Sequence, residues 1–178
     1  MGSTRIIQGV YESMYMYFGL GSNLGNRLQN LRDALEKLKT IGKIEAVSSV
    51  YESPAWGGVP QPDYLNACVK VEASDTIDPH ELLRTVKTFE QELGRVPSVR
   101  WGERKIDIDI LLIDNMIFHS EELDIPHISM SLRLFVLLPL SEIVTPNWLH
   151  PITGKRLHEF IASLSDETRP VKLDGVRL

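Results

Sequence analysis

The chain has 178 residues, 43% of them hydrophobic and 24% charged, which suits one folded domain and excludes a fibrous repeat or a long disordered tail. Lys and Arg total 19 against 24 Asp and Glu, giving a formal net charge of -5, whereas a general nucleic-acid binder usually carries a basic excess. Its single cysteine, Cys68, cannot form an internal disulfide, and no apolar run approaches the roughly 20 residues of a membrane span. We therefore expect a cytoplasmic protein that binds neither nucleic acid nor membrane.

The domain organisation follows from where the periodic patterns begin and end. Residues 1–13 lack clear periodicity and are expected to be a flexible lead-in. Residues 14–165 are predicted to form a single domain, and residues 166–178 a C-terminal tail.

The predicted elements follow in the order strand, helix, strand, strand, helix, strand. A β-rich run from Tyr15 to Leu20 opens the domain, and the glycines that end it are interpreted as a tight turn into the first helix. Asp78-Pro79 opens the second helix with a capping residue followed by proline at the first helical position. The helices carry apolar stripes at helical spacing, namely Leu28, Leu31, Leu35 and Leu38 in the first and Leu82, Val86, Phe89 and Leu93 in the second.

Three further runs read as strands. The second strand is predicted from Ile44 to Tyr51, the third alternates apolar and polar residues from Tyr64 to Glu72, and the fourth runs from Ile106 to Ile113, with Leu112 on the same side as the alternate isoleucines. This order predicts an α+β, ferredoxin-like βαββαβ sandwich with two helices on one face of an antiparallel sheet. A hairpin and two short helices, near residues 129–138 and 155–164, form a C-terminal helical extension.

Two aspartates give the first chemical signal. Asp107 and Asp109 point to the same side of their strand, with Cα atoms about 7 Å apart, while the isoleucines around them face the core. Two carboxylates so placed can hold hard cations such as Mg²⁺ through oxygen ligands. The alternative is two solvated aspartates on an exposed sheet face.

A cationic segment precedes the aspartates. Residues 95–105 contain four cations, Arg95, Arg100, Arg104 and Lys105, against one anion, so the segment carries +3 in an acidic chain. Such a local concentration favours a focused anion site, and Trp101 could stack on a flat ring. The alternative is a solvated loop whose cations pair with neighbouring acids.

The polar face of the third strand offers a second kind of site. Tyr64 and Asn66 face away from the predicted core, on the side expected to carry Asp107 and Asp109, and could hold a flat heterocycle. Cys68 shares that face and is interpreted as packing.

Several stretches together resemble a known family. They are Gly19–Gly25, Tyr51–Pro54, Gln61–Ala67, Gly94–Val96, the specific block RWGERKIDIDI at 100–110, and Pro126-His127 followed by Arg133 and Phe135. In this order and spacing they resemble the 6-hydroxymethyl-7,8-dihydropterin pyrophosphokinase family of folate biosynthesis, over roughly residues 15–160. Members transfer the β,γ-diphosphate of ATP to the hydroxymethyl oxygen of the pterin and release AMP.

The resemblance implies roles for individual residues. Asp107 and Asp109 would bind two Mg²⁺ ions, Arg95 and Arg104 would act with them in catalysis, and Glu90 would contribute to the site. ATP would contact Arg95, Arg100, Trp101, Arg104, Ile110, His127 and Arg133. The pterin would contact Ser53, Pro54, Ala55, Trp56, Tyr64, Asn66, Trp101 and Phe135. No obligate protein partner is implied.

Two other classes remain as alternatives. A ferredoxin-like RNA-binding module could use Tyr64 as a stacking platform, but it would need a basic sheet face where this chain has two aspartates. A non-catalytic nucleotide- or pterin-binding relative would retain the ligands without producing AMP.

Overall fold

The computed structural model describes residues 13–55, 60–73, 77–96, 103–164 and 169–178. In these ranges the strands are β1 Met14–Ser22, β2 Lys43–Val47, β3 Tyr51–Ser53, β4 Tyr64–Ala73, β5 Asp107–Ile113, β6 Phe118–His119, β7 Asp124–Ile125 and β8 Val171–Lys172. The α-helices are α1 Arg27–Leu38, α2 Pro79–Glu92, α3 Leu134–Ser141 and α4 Leu157–Ser163. Among the described helices, none combines the length and apolar character needed to span a bilayer.

The main sheet has the strand order predicted for a ferredoxin-like fold. The order is β5-β1-β4-β3-β8, with β2 pairing alongside β3 on the same edge of β4, and every pairing is antiparallel. The predicted hairpin forms from β6 and β7. Both predicted helix starts are capped, because Asn26 accepts a hydrogen bond from the Gln29 N–H and Asp78 from the Glu81 N–H.

The expectation of one strand from Ile44 to Tyr51 is wrong, since the structure divides it into β2 and β3. Ser48 and Ser49 interrupt the ladder. The Ser48 hydroxyl accepts a hydrogen bond from the Cys68 N–H, and the Ser49 N–H donates to the Glu142 carboxylate. The Ser48 N–H still donates to the Cys68 carbonyl at 2.9 Å, but side-chain acceptors take the Cys68 and Ser49 N–H groups and so interrupt the regular ladder.

The placement of Leu112 beside the alternate isoleucines of β5 is also wrong. The β1–β5 register pairs Phe18 with Ile110 and Tyr17 with Leu112, so Leu111 is an extra residue at a bulge. A bulge shifts the alternation by one residue. Leu112 therefore packs on the opposite face from Ile110.

Two cores cover the two faces of the sheet. On one face, α1 and α2 bury Phe18, Leu31, Val86 and Ile108. On the other, the C-terminal extension packs α3 and α4 over Tyr17, Cys68, Leu111 and Leu112, so helices lie on both faces. The extension covers only part of its face. The remainder, near the Ser22 end of β1, stays open to form a cavity.

Candidate active site

The floor of the cavity is a row of residues across three adjacent strands. Gly21 in β1 pairs with Asp107 in β5 on one side and with Asn66 in β4 on the other. In the next row, Gly19 lies between Asp109 and Cys68. Since paired residues point to the same face, the glycines leave a trough between the two aspartates and the polar side chains of β4.

This arrangement corrects the interpretation of the glycines as a turn. Gly19 and Gly21 lie within β1. Of these three glycines, Gly25 alone has the positive φ, 68°, of a turn residue. The sequence did contain a signal for this arrangement, because two glycines two positions apart lie on the same face of a strand. Glycine is also common in turns, and that preference led to the wrong interpretation.

The cavity measures about 270 Å³ and brings together most of the predicted site residues. Those that line it are Ser53, Pro54, Tyr64, Asn66, Arg104, Asp107, Asp109, His127, Arg133 and Phe135. Gln61 also lines it and was not predicted. Cys68 lies beneath the cavity, 1% exposed, and packs as predicted, with burial raising the pKa of its thiol.

One end of the cavity is aromatic and amide-lined. Tyr64 and Phe135 line it together, and the Asn66 Nδ2 atom donates a hydrogen bond to the Ser53 hydroxyl at 2.9 Å. This bond turns the Asn66 carbonyl oxygen toward Gly21 and the cavity floor. Burial raises the pKa of Tyr64, so its phenol is neutral at pH 7. The end can therefore receive a flat ring with polar edges.

The other end alternates acids and arginines. The Asp107 carboxylate lies 3.1 Å from an Arg95 guanidinium nitrogen and 3.0 Å from one of Arg104. Burial and the neighbouring Asp109 raise the pKa of Asp107, and the two arginines oppose this shift. Such a mixed set can bind an anion through the arginines and a cation through the carboxylates.

Glu90 supports this end from behind. Its side chain is 2% exposed, accepts a hydrogen bond from the Ile108 N–H at 2.8 Å, and pairs with Arg95 and Lys87. A buried carboxylate is stable only with such partners. Glu90 thus fixes both the β5 backbone and Arg95 beside Asp107.

His127 borders the cavity near Asp109. Its backbone N–H donates to the Leu111 carbonyl at 2.9 Å, and its Nδ1 atom accepts from the Ser129 N–H at 3.2 Å. Burial lowers the pKa of its imidazole. Because Nδ1 is an acceptor, the neutral ring carries its proton on Nε2.

Three predicted contacts among the described residues are not made by side chains lining the cavity. Arg95 is absent from the lining and reaches it only through its ion pair with Asp107. Ile110 is 2% exposed and packs in the core beneath α1 and α2. Side chains alternate along a strand, so it points to the opposite face from its neighbour Asp109. Only its backbone, on the edge strand β5, could therefore contact a nucleotide. Ala55 is half-buried but is absent from the described cavity lining. Trp56, Arg100 and Trp101 lie outside the described residues.

The chemistry of the donor set fits magnesium. Asp107 and Asp109 project hard oxygen ligands into one cavity. In the part of the chain that the structure describes, no cluster of three or more His, Cys, Asp or Glu residues forms a metal site. Mg²⁺ is usually bound by one or two carboxylates, the rest of its shell being substrate phosphates and water. A two-carboxylate site suits an ion shared with a phosphate substrate.

Comparisons with known proteins identify the family of the chain. The model of the 7,8-dihydro-6-hydroxymethylpterin-pyrophosphokinase (HPPK) family matches residues 17–145. The chain belongs to the HPPK family. The 2-amino-4-hydroxy-6-hydroxymethyldihydropteridine pyrophosphokinase of Aquifex aeolicus is 44% identical over 145 residues, covering 82% of this chain and 89% of that protein. The Synechocystis enzyme of the same name is 41% identical, covering 80% of this chain and 72% of its own.

Other similar proteins are longer. The chain spans 22% of the Dictyostelium discoideum folic acid synthesis protein FOL1, to which it is 40% identical. A crystal structure of wild-type Plasmodium falciparum HPPK-DHPS with pteroate matches with a TM-score of 0.67 and 15% identity, covering 88% of this chain and 43% of that chain. At that identity, the match bears on the fold alone.

Membership of the HPPK family confirms several predictions. The family, the ferredoxin-like fold and the enzyme class, an ATP-dependent diphosphotransferase of folate biosynthesis, are as the sequence predicted. The non-catalytic alternative is not favoured.

Proposed function

We propose that this protein transfers the β,γ-diphosphate of ATP to the hydroxymethyl oxygen of 6-hydroxymethyl-7,8-dihydropterin in the cavity over β5, β1 and β4. The row Asp107–Gly21–Asn66 carries the proposal. It puts a carboxylate and an amide on one face, two strand spacings apart, or about 10 Å. Ring and phosphates therefore meet in one cavity.

The pterin ring occupies the aromatic end. Tyr64 and Phe135 sandwich the ring, and the Asn66 carbonyl, held by Ser53, accepts a hydrogen bond from its amino edge. Pro54, Ala55, Trp56 and Trp101 complete the ring contacts in this proposal. The hydroxymethyl group then points along the trough toward Asp107.

The triphosphate occupies the charged end. Arg95 and Arg104 both reach Asp107, so their guanidinium groups lie where the transferring phosphates would meet the carboxylates. Arg100, His127, Arg133 and the Ile110 backbone contact the remainder of the nucleotide. Asp107 and Asp109 would hold Mg²⁺, two ions in the full proposal, and the bound metal would supply positive charge that neutralises the phosphates.

The chain's own residues act mainly by alignment. Phosphoryl transfer asks for little covalent work from the protein, so catalysis depends on holding the attacking oxygen, the β-phosphorus and the AMP leaving group in line. The Tyr64–Phe135 pair fixes the oxygen through the ring, and Arg95 and Arg104 fix the phosphates. Glu90 keeps Arg95 from rotating away.

The remaining attributes stay predictions. We keep the cytoplasmic location, the absence of an obligate protein partner, and the domain limits 14–165 with a lead-in at 1–13 and a tail at 166–178. Within that tail the structure places β8, which pairs with β3.

Nucleotide chromatography tests the proposed reaction. With ATP, Mg²⁺ and 6-hydroxymethyl-7,8-dihydropterin, we expect AMP that depends on the pterin and is lost in Asp107→Asn and Asp109→Asn. Asp33→Asn is the matched control and should retain activity. Asp33 lies on α1, accepts a hydrogen bond from the Gln29 side chain, and does not line the cavity. Formation of ADP, or unchanged AMP in both site variants, would contradict the proposal.

A further inference from the structure

Asn23, directly after β1, contacts segments on both sides of the cavity. Its side chain is 2% exposed, and its Nδ2 atom donates to the Gln61 side-chain oxygen at 2.9 Å and to the Pro62 carbonyl at 3.2 Å. Its Oδ1 atom accepts from the Arg104 N–H at 2.8 Å, and its own N–H donates to the Arg104 carbonyl at 3.1 Å. One buried amide therefore joins two segments that are remote in sequence.

The two segments serve different ends of the cavity. Gln61 lines the cavity and lies three residues before Tyr64. Arg104 also lines it and bonds to Asp107. Asn23 is not among the described residues lining the cavity, so it would act on the substrates only through its neighbours.

We propose that Asn23 is a positioning residue that couples the pterin and ATP subsites, an inference that rests on the proposed function. Phosphates that fix Arg104 also fix the Asn23 amide, which holds Gln61 and the Pro62 carbonyl at the pterin end. Each substrate therefore raises the affinity for the other, and the two factors are equal by thermodynamic linkage.

Substitution with aspartate separates the two contacts. Asn23→Asp keeps an oxygen for the Arg104 N–H but replaces the Nδ2 donor with an oxygen that faces the Pro62 carbonyl. The variant should therefore retain the Arg104 contact and lose the Pro62 contact, because the Pro62 carbonyl can only accept a hydrogen bond. A purely structural amide would lower stability without changing the coupling between ligands.

Equilibrium binding measures the coupling. The Kd of 6-hydroxymethyl-7,8-dihydropterin is determined by titration calorimetry with and without Mg²⁺ and a non-hydrolysable ATP analogue. The analogue should tighten pterin binding in the wild type, and this enhancement should fall about five- to tenfold in Asn23→Asp. The Kd of the analogue alone should change by less than about twofold, since the Arg104 contact remains.

A stability-matched control is available on α2. Asp78→Ala removes the N-cap hydrogen bond to the Glu81 N–H, far from both segments, and should lower stability while keeping full coupling. If Asn23→Asp does not fold, Gln61→Ala removes one of the two contacts and carries the test with a smaller expected loss of coupling, since the Pro62 contact remains.

The outcomes separate the inference from the function on which it rests. Unchanged coupling in the Asn23 or Gln61 variant, no coupling in the wild type, or equal loss in Asp78→Ala would overturn the inference. A wild-type protein that binds neither ligand would instead contradict the proposed function.

Discussion

Gly21 pairs with Asn66 across the β1–β4 ladder, and a Cβ atom at Gly21 would lie 3.5 Å from the Asn66 Oδ1 atom and 3.5 Å from the Tyr64 ring. The distance is an ordinary van der Waals contact, so the fold would accept a methyl group there. The same methyl group would stand on the floor of the cavity, where the pterin ring is proposed to lie.

Gly21→Ala should therefore separate stability from function. We expect the free energy of unfolding to stay constant or rise by about 0.5 kcal/mol, because glycine within a strand is entropically unfavourable. The KM for the pterin should rise about tenfold or more, the usual effect of one extra carbon in a close-fitting site. Urea unfolding and steady-state kinetics measure the two quantities.

Gly19→Ala is the matched control for this change. Its added methyl group would meet the Leu111 side chain at 3.4 Å rather than Asn66 or Tyr64. The pterin KM should change less than in Gly21→Ala. An unchanged pterin KM in Gly21→Ala would show that the pterin ring does not lie next to Gly21.

Glu90 provides a stability prediction. Glu90→Ala leaves Arg95 and the Ile108 N–H without their buried carboxylate partner, and we expect a loss of about 3 kcal/mol in the free energy of unfolding. Glu90→Gln keeps an oxygen for Ile108 and should lose less. Urea denaturation gives the comparison.

Glu92, near the end of the same helix, is the control for Glu90. It pairs with Lys37 at 2.7 Å, but its side chain is half exposed, so Glu92→Ala should cost no more than about 0.5 kcal/mol. Equal losses at the two positions would show that burial of the Glu90 network does not stabilise the fold.

Glu142 predicts a pH dependence of stability. Burial opposes its ionisation, but hydrogen bonds from the Ser49 N–H, Tyr51 and Lys172 outweigh this and lower its pKa from 4.5 to about 2. Its ionised form is thus favoured in the folded protein. The stabilisation is fully present above pH 4.5 and is lost as the pH falls from 4.5 toward 2.

Glu142→Gln should lower the free energy of unfolding at pH 7 by about 1–2 kcal/mol, after allowance for solvent screening of a partly exposed group. The difference from the wild type should shrink as the pH falls below 4.5. Urea unfolding from pH 7 to pH 3 measures it, with exposed Glu121→Gln as control. A difference that grows toward low pH would reverse the predicted sign.

Local patterns predicted much of the site. Alternation along β4 and β5 placed Tyr64 and Asn66 on the same face as Asp107 and Asp109, because a period of two is fixed by the strand itself. The helix cap at Asp78 also depends on a residue only three positions away. Such short-range geometry can be read from sequence.

Features that depend on distant partners could not be predicted in this way. The bulge at Leu111 turns the Leu112 side chain to the other face of the sheet, and it exists only because of how β5 pairs with β1. The α2 pattern marks Glu90 as one more polar residue, whereas its burial depends on Arg95 and Ile108. Asn23 meets partners 38 and 81 residues away, which no local pattern reveals.

The central claim is that a diphosphate, rather than a single phosphoryl group, moves to the pterin at Asp107 and Asp109. A single-turnover reaction with ATP labelled on the β-phosphorus tests this most directly. We predict that the label appears in the pterin product with unlabelled AMP, and that Asp109→Asn slows its appearance about a hundredfold or more. Label that remains in ADP, or appears in the product at the same rate in Asp109→Asn, would contradict the account.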